Sequence, residues 1–265
     1  MATHDDAGDV HARPPGATGG VQSVSRALEL LDLMAGAGTD VSLSELAEGT
    51  GMAAATTHRL MRTLLAHGYV RQLPSRRYGL GPALIRLGEQ AGLHLGAAAR
   101  PHLDDLAAQA GETVNLAMLD QDMVVYVAQA ASRHSMRMFT EVGRRVHAHS
   151  TGVGKAVLAE LPDAAVLRLL ERAGMPPATE HTITGPEEFL TELGTIRSRG
   201  FAIDDGEQEV GVRCVAMAVP EAPTPTAVSV SGPAARLDLA GLEALLPALR
   251  RTAGVLAELY ATEGP

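Results

Sequence analysis

The side chains best suited to chemistry lie in the second half of the chain, at Asp204, Glu207 and Cys214. A thiol near a carboxylate or a histidine could act as a nucleophile. Cys214 lies within the apolar run VRCVAMAV, however, and this favours a small buried thiol that packs like an apolar side chain. No pair of carboxylates and no nucleophile–base–acid pattern stands out in the sequence. We therefore expect that the protein is not an enzyme.

Two further motifs could bind a phosphate or a metal ion. TGVGKA (151–156) resembles a phosphate-binding loop, but His149 and Ala156 stand where that loop requires Gly and Ser or Thr. Its glycines instead suit a helix start whose amides hold a small carboxylate. His147 and His149 could chelate a metal ion, but a third ligand is not evident, so solvated or hydrogen-bonded histidines are favoured. We expect no metal and no cofactor.

Positive charge is concentrated in one segment of an acidic protein. The 265-residue chain carries a net charge of -9, yet residues 54–86 hold six arginines and no acidic residue. By region, residues 1–20 carry -2, residues 21–100 carry +2 and residues 101–265 carry -9. Opposite signs in the two large regions indicate two different roles. Double-stranded DNA is a partner that requires local positive charge, because phosphate contacts supply much of the binding energy.

The elements that position these arginines follow from helical spacing and capping signals. The segment VSRALELLDLMAG predicts a first helix with one apolar stripe, formed by Val24, Leu28, Leu31 and Met34. Ser42 and Glu45 form a capping box at the start of a short second helix. A third helix spans ATTHRLMRTLLAHG. Its inward residues are predicted to be Thr57, Leu60, Met61 and Leu64.

The opposite face of the third helix fits a major groove, because arginine can bond bidentately to guanine and small residues allow close approach. The segment YVRQLPSRRYGL predicts a β-hairpin with two arginines at its tip, placed for phosphates. A solvated basic face is the alternative, but the order helix, capped helix, basic helix and basic hairpin favours DNA binding. The candidate DNA-binding residues are Ser42, Ser44, Ala55, Thr56, His58, Arg59, Arg62, Arg76 and Arg77.

These segments resemble the DNA-binding domain of IclR-type bacterial transcriptional regulators. The segment GFAIDDGEQEVGVRCVAMAVP (200–220) is similar to that family's signature in the spacing of Gly200, Asp204, Glu207 and Cys214. The chain departs from the family pattern at Ala54-Ala55, where relatives often carry Lys-Ser, and at Pro220-Glu221, which replace an aromatic–acid pair. The operator sequence therefore cannot be transferred from relatives.

The remaining chain mixes strands and helices. Strand-like runs are TVNLAML, MVVYVAQA, VRCVAMAV and TAVSVSG, with helical segments between and after them. This order predicts an α+β domain with an antiparallel sheet. A winged helix-turn-helix domain is expected at 21–82. Helical spacing places Leu84, Leu87, Ala91 and Leu95 on one stripe, which predicts a linker helix at 83–98. The resemblance implies that residues 99–265 form a GAF/PAS-like effector-binding and oligomerisation domain.

The resemblance also implies an effector pocket and an oligomer. The pocket residues would be Met136, Met138, Gly152, Val153, Asp204, Cys214, Ser229 and Ser231. The alternative for SVSGP (229–233) is an edge strand followed by a turn. Residues 132–146 look like the corresponding segment in regulators of allantoin and glyoxylate metabolism, which implies a small carboxylate or ureide. The partners would be operator DNA, this effector and further copies in a homodimer or dimer of dimers.

The remaining features bound the cellular role. One cysteine excludes an internal disulfide, which fits a reducing cytoplasm. The N-terminus has no apolar signal segment, no run is long enough for a membrane span, and residues 1–20 are expected to be disordered. We expect a cytoplasmic repressor of a catabolic operon. The alternatives are an activator of a carboxylate-degradation operon, an enzyme fused to a DNA-binding domain, and a scaffold protein that responds to no ligand.

Overall fold

The computed structural model describes residues 21–138 and 140–262. The segment expected to be disordered, residues 1–20, lies outside this range. The described chain divides into two compact units between Ala91 and Gly92, a boundary within the expected linker helix. No helix among the described residues is long and apolar enough to cross a membrane.

The first unit is a winged helix-turn-helix. Its elements are α1 (Gln22–Ala37), α2 (Leu43–Thr50), α3 (Ala54–Ala66), β1 (Val70–Gln72) and β2 (Tyr78–Leu80), followed by α4 (Ala83–Leu95), which continues past the unit boundary. Strands β1 and β2 pair antiparallel as the predicted hairpin. Leu30, Leu46, Met61 and Tyr78 meet in one apolar cluster, so a buried core holds the three helices and the hairpin together.

The predicted first helix forms as α1, but its predicted apolar stripe is only partly buried. Val24 and Leu28 are 56% and 55% exposed, whereas Leu30 and Met34 are 0% and 3% exposed. The helix carries two adjacent apolar stripes, and α2 and α3 pack against the one that contains Leu30 and Met34. Helical spacing alone could not decide between the stripes, because Met34 belongs to both.

The second unit contains an antiparallel sheet. Its elements are α5 (Arg100–Ala110), β3 (Thr113–Asp120), β4 (Met123–Ala130), β5 (Arg145–His147), α6 (Gly152–Ala159), α7 (Asp163–Ala173), α8 (Pro186–Arg199), β6 (Ala202–Asp205), β7 (Val212–Ala218), β8 (Thr226–Pro233) and α9 (Leu239–Thr262). The strand order is β5-β4-β3-β8-β7-β6, and every neighbouring pair is antiparallel.

The sheet separates two apolar cores. Helices α5 and α9 pack on one face, where Leu103 and Leu249 are buried. Helices α6, α7 and α8 cover the other face, where Val157 and Phe189 are buried. The predicted α+β architecture is therefore confirmed. The alternative interpretation of residues 229–233 as an edge strand is wrong, because β8 lies between β3 and β7 inside the sheet.

Candidate functional site

The exposed face of α3 carries the basic residues predicted to read DNA. Thr57 and Met61 are fully buried and fix the helix to the core of the first unit. Arg59 and Arg62 are exposed on the outer side of the helix, and neither forms an ion pair with an acidic residue in the described chain. Ala55 and His58 are exposed beside them, and Thr56 is half-buried. The helix therefore presents two unpaired guanidinium groups flanked by small side chains.

The start of α2 is held by its predicted capping box. The Glu45 amide donates to the Ser42 hydroxyl at 3.2 Å, and the Ser42 amide donates to the Glu45 carboxylate at 2.6 Å. The Ser42 and Ser44 hydroxyls are 2.9 Å apart. Ser42 therefore stabilises the helix start, whereas Ser44 is exposed and could also donate to a phosphate.

The two arginines at the hairpin tip differ. Arg76 is exposed, with a left-handed backbone φ of 64°. Arg77 points back into its unit: its Nε donates to the Asp40 carbonyl at 2.9 Å and its Nη2 to Glu45 at 2.8 Å. The hydrogen bonds with Ser42 lower the pKa of Glu45 most, and the bond from Arg77 lowers it further. The expectation that both arginines face outward therefore holds for Arg76 and not for Arg77.

The predicted effector residues form a polar floor on the α6 side of the second unit's sheet. Asp204 on β6 lies opposite Cys214 on β7, which lies opposite Ser231 on β8. Two residues along β8, Ser229 lies opposite Asn115 on β3. Side chains of opposed residues share a face, so these groups line one surface. We name Asn115, Asp204, Cys214, Ser229 and Ser231 the polar floor; all of them are buried.

Helix α6 begins directly over this floor. A Cβ atom at Gly152 would lie 2.8 Å from the Cys214 sulfur, so the close approach requires glycine. Thr151 caps the helix by accepting from the Gly154 amide at 3.1 Å. The amides of Gly152 and Val153 have no partner within the helix, which leaves them to bind an anion. The Val153 side chain packs in the apolar core, so its contribution is its amide.

Burial controls the protonation of the floor. Burial raises the pKa of Asp204 to about 7. The amides of Glu207 and Gln208 donate to Asp204 at 2.7 and 3.4 Å and lower this pKa, but their effect is smaller than that of burial. Burial and the nearby Asp204 charge raise the pKa of Cys214 to about 12. The thiol therefore stays protonated at neutral pH, which does not suit a nucleophile.

Two buried hydroxyls on this side of the sheet are poorly satisfied. Among the described residues, the Oγ1 of Thr140 has no hydrogen-bond partner, and the Oγ of Ser229 has only the weakly bonding Cys214 thiol beside it. Thr140 lies beside the floor, because Gln129 donates both to the Thr140 carbonyl at 2.8 Å and to Asn115 at 3.1 Å. A buried hydroxyl without a partner is costly, so a polar ligand that bonds to these groups would be stabilised.

The two methionines predicted to bind the effector, Met136 and Met138, differ in burial. Met138 is half-buried, and its carbonyl accepts from the Thr113 hydroxyl at 3.2 Å. Met136 is 71% exposed, so its role beside the effector pocket stays a prediction. Its carbonyl accepts from Arg236 at 2.9 Å, which holds this part of the chain at the surface.

Sequence reasoning missed the ion-pair network behind the floor. Lys155, the only lysine of the chain, is 1% exposed. Its Nζ contacts Glu207 and lies 3.5 Å from Glu192, which also pairs with Arg199 at 3.0 Å. A single lysine within the apolar segment VGKAVLA was the signal that could have indicated a buried charge.

The histidine pair has a structural environment. His149 is buried, and its Nε2 lies 3.1 Å from the Pro176 carbonyl. Burial lowers the pKa of His149 to about 4 and also lowers that of His147. Across the described ranges, no group of three or more His, Cys, Asp or Glu side chains is arranged to hold a metal ion.

The first unit exposes arginines on a helix-turn-helix, and the second unit contains a buried polar floor. This combination is typical of a DNA-binding regulator. Comparisons with known proteins identify its family. Residues 23–74 match the IclR helix-turn-helix domain, and residues 90–257 match the C-terminal domain of the bacterial transcriptional regulator IclR. The chain belongs to the IclR family of transcriptional regulators.

Individual relatives agree with this assignment. The chain is 37% identical over 227 residues to the acetate operon repressor of Salmonella typhimurium, covering 83% of each chain. It is similar to the crystal structure of Thermotoga maritima IclR, with a TM-score of 0.73, 30% identity and coverage of 90% of this chain and 98% of that one. It also resembles the inducer-binding domain of PobR from Acinetobacter in complex with 3-hydroxybenzoic acid, with a TM-score of 0.58, 29% identity and coverage of 63% and 99%. The relatives are regulators, and the chain is a regulator rather than an enzyme.

Proposed function

We propose that this protein is a homo-oligomeric repressor of a catabolic operon, and that a small carboxylate bound on the polar floor changes its affinity for the operator. The observation that carries this proposal is the buried polar floor over which α6 begins, where the Ser229 hydroxyl has only the weakly bonding Cys214 thiol beside it among the described residues. Helix-start amides favour an anion, and Asp204 with a pKa of about 7 can donate or accept a hydrogen bond there.

The DNA-binding part of the proposal assigns different contacts to helix and wing. Arg59 and Arg62 on α3 would contact base edges in the major groove, with Ala55, Thr56 and His58 beside them. Arg76 at the wing and Ser44 at α2 would contact phosphates and set the register. Ser42 and Arg77 would act indirectly, since both are bonded to Glu45.

The oligomer is supported by exposed apolar residues on the first unit. Val24 and Leu28 on α1 are more than half exposed, and Ile85 and Leu87 on α4 are 64% and 41% exposed. A second copy would bury these side chains and place two α3 helices on the half-sites of an imperfect palindrome. Ligand binding that favours one arrangement of the two copies would then change operator affinity.

The nature of the effector and the sign of regulation are the finer parts of the proposal. The acetate operon repressor, a relative, supports repression, and the hydroxybenzoate complex of PobR supports a carboxylate effector. Residues 132–146 look like the corresponding segment in regulators of allantoin and glyoxylate metabolism, and this resemblance favours a small acid or ureide such as glyoxylate or allantoin. The second candidate is activation of an operon that degrades aromatic or other carboxylates, and the PobR complex supports the aromatic carboxylate ligand of this candidate.

The first experiment captures fragments of genomic DNA with the full-length protein near physiological salt, and repeats the capture with candidate acids. Enrichment of a few palindromic intergenic sites that an acid releases would support repression. Retention strengthened by the acid would favour activation. Asp204→Asn should retain the same sites without responding to the acid. Retention of fragments with no shared site would contradict a sequence-specific regulator.

A further inference from the structure

Arg144 is a half-buried arginine whose side chain forms no ion pair with any described residue. Its Nε atom is buried and has no hydrogen-bond acceptor, and no acidic residue of the described chain pairs with its guanidinium. The adjacent Arg145 differs, because its guanidinium is ion-paired with Asp120. A buried, charged N–H group without an acceptor costs free energy. Arg144 is therefore arranged to gain from an anion.

The backbone places Arg144 on the same side of the sheet as the polar floor. Arg144 directly precedes β5, and the Tyr126 amide donates to its carbonyl at 3.1 Å while the Tyr126 carbonyl accepts from the Gly143 amide at 2.7 Å, so the pairing of β4 continues one residue beyond β5 in an irregular form. Opposed side chains in an antiparallel pair share a face. The next opposed pair on that face, Val124 and Val146, packs in the apolar cluster beneath α6.

Tyr126 connects Arg144 to the polar floor. Burial raises the pKa of Tyr126 above its ordinary value, so the hydroxyl remains protonated and can donate. The nearby Cys214 and Asp204 groups raise that pKa further, and the Arg144 charge lowers it. Tyr126 packs against the apolar cluster on the α6 side of the sheet, and its strand β4 lies between β5 and the strands that carry the polar floor.

We propose that Arg144 and Tyr126 bind a second anionic end of the effector, and that the effector is therefore a dicarboxylate. One carboxylate would bind at the start of α6 and the polar floor, and the other at Arg144 and Tyr126. Strands β4 and β7 are three strand intervals apart, about 14 Å between backbones. A two-carbon acid can occupy one end of such a site and cannot reach both. This inference rests on the proposed effector site and specifies its ligand.

The test measures binding of succinate, glutarate and adipate to the full-length protein by calorimetry, each beside the monocarboxylate with the same number of carbons. We expect one dicarboxylate to bind about tenfold or more tightly than its matched monocarboxylate, as a charged hydrogen bond would provide. Arg144→Gln should remove this preference and leave monocarboxylate affinity unchanged. The matched control, Arg145→Gln, alters the neighbouring arginine on the opposite face and should keep the preference.

Two further variants separate a binding role from a folding role. Tyr126→Phe removes only the hydroxyl and should weaken the dicarboxylate while leaving the monocarboxylate unaffected. Arg144→Lys keeps the charge and should recover part of the preference lost in Arg144→Gln. If Arg144→Gln fails to fold, the inference is tested by these two variants alone. A dicarboxylate affinity that is unchanged in both Tyr126→Phe and Arg144→Lys would then contradict it.

The outcomes distinguish this inference from the proposed function. Equal affinity of the native protein for each matched pair, or an unchanged preference in Arg144→Gln, would overturn the inference and leave a monocarboxylate effector in place. Failure of every acid to bind, with operator binding intact, would overturn the proposed carboxylate site itself, and the inference with it.

Discussion

The two units of the protein treat their charged side chains in opposite ways. In the first unit Arg59 and Arg62 are exposed and unpaired on α3. In the second unit Lys155 is 1% exposed and paired, and Arg144 has a buried Nε without an acceptor. A duplex is recognised by many exposed cations, whose attraction salt weakens. A small acid is recognised by a few enclosed groups, each of which requires a partner.

The acidic residues show the same contrast. Glu45 accepts hydrogen bonds from Ser42 and Arg77, which lower its pKa and keep it charged. Asp204 is buried on the polar floor, which raises its pKa to about 7. The same type of side chain therefore serves as a permanent charge in one unit and as a group that can hold a proton in the other.

The largest expected effect tests the cost of a buried charge. Lys155→Ala leaves Glu207 without its cation inside the second unit, and should lower the free energy of unfolding by about 3–5 kcal/mol. Urea unfolding followed by circular dichroism measures the change. Arg172→Ala is the control, because Arg172 pairs with Asp122 at the surface and is 53% exposed. Its stability should change little, and equal losses in both variants would contradict the contrast.

A second prediction uses the raised pKa of Asp204. Between about pH 4 and pH 7 the native state holds a proton on Asp204 that the unfolded state has released. Native stability should therefore fall as the pH rises through this window, by at most about 1.4 kcal/mol per pH unit. Asp204→Asn keeps the acceptor for the Glu207 amide and removes the titration.

The free energy of unfolding is measured against pH for the native protein and for Asp204→Asn, and the two curves are subtracted. The subtraction removes the contribution of His147 and His149, whose lowered pKa values make acidification destabilise the native state, whereas the proton on Asp204 stabilises it. Parallel curves for the native protein and Asp204→Asn would show that Asp204 keeps an ordinary pKa. The contrast with Glu45 would then be lost.

A third prediction separates base contacts from phosphate contacts in the first unit. Arg59→Ala or Arg62→Ala should weaken operator binding by about 1–3 kcal/mol and relax its sequence preference. Arg76→Ala should weaken all DNA similarly and reduce the slope of affinity against salt by about one. Binding to operator and to scrambled duplex across a salt series measures both. The same behaviour in both kinds of variant would contradict the division between helix and wing.

The sequence predicted the elements that carry strong local signals. The capping box at Ser42 and the hairpin around Pro74 formed as expected, because capping and turn residues act over a few positions. The predicted apolar stripe of α1 is only partly buried, and β5 and β6 were missed, because each depends on what packs or pairs with it. Strands of three or four residues carry too little alternation to be recognised.

The polar floor was predicted better than its surroundings. The signature spacing indicated Asp204 and Cys214, and the family resemblance added Gly152, Ser229 and Ser231; the sheet and the start of α6 bring these residues together. Asn115 of the floor carried no sequence motif, and neither did its neighbours Gln129 and Thr140. The pairing of β3 with β4 and β8 brings Asn115 beside Ser229 and Gln129, and Gln129 in turn bonds to Thr140. Tertiary pairing of this kind cannot be inferred from one sequence.

The smallest expected effect returns to the first unit. Ser42→Ala removes the side chain that accepts from the Glu45 amide and should lower the free energy of unfolding of this unit by about 1 kcal/mol. Because Glu45 also holds Arg77, the loosened cap should weaken DNA binding without changing sequence preference. Ser44→Ala is the comparison variant, since it removes a hydroxyl 2.9 Å from that of Ser42 but leaves both bonds between Ser42 and Glu45 in place, and its main effect should be on phosphate contacts. Thermal unfolding beside salt-dependent binding measures both effects, and a change in base preference for Ser42→Ala would mean that Ser42 itself contacts the bases.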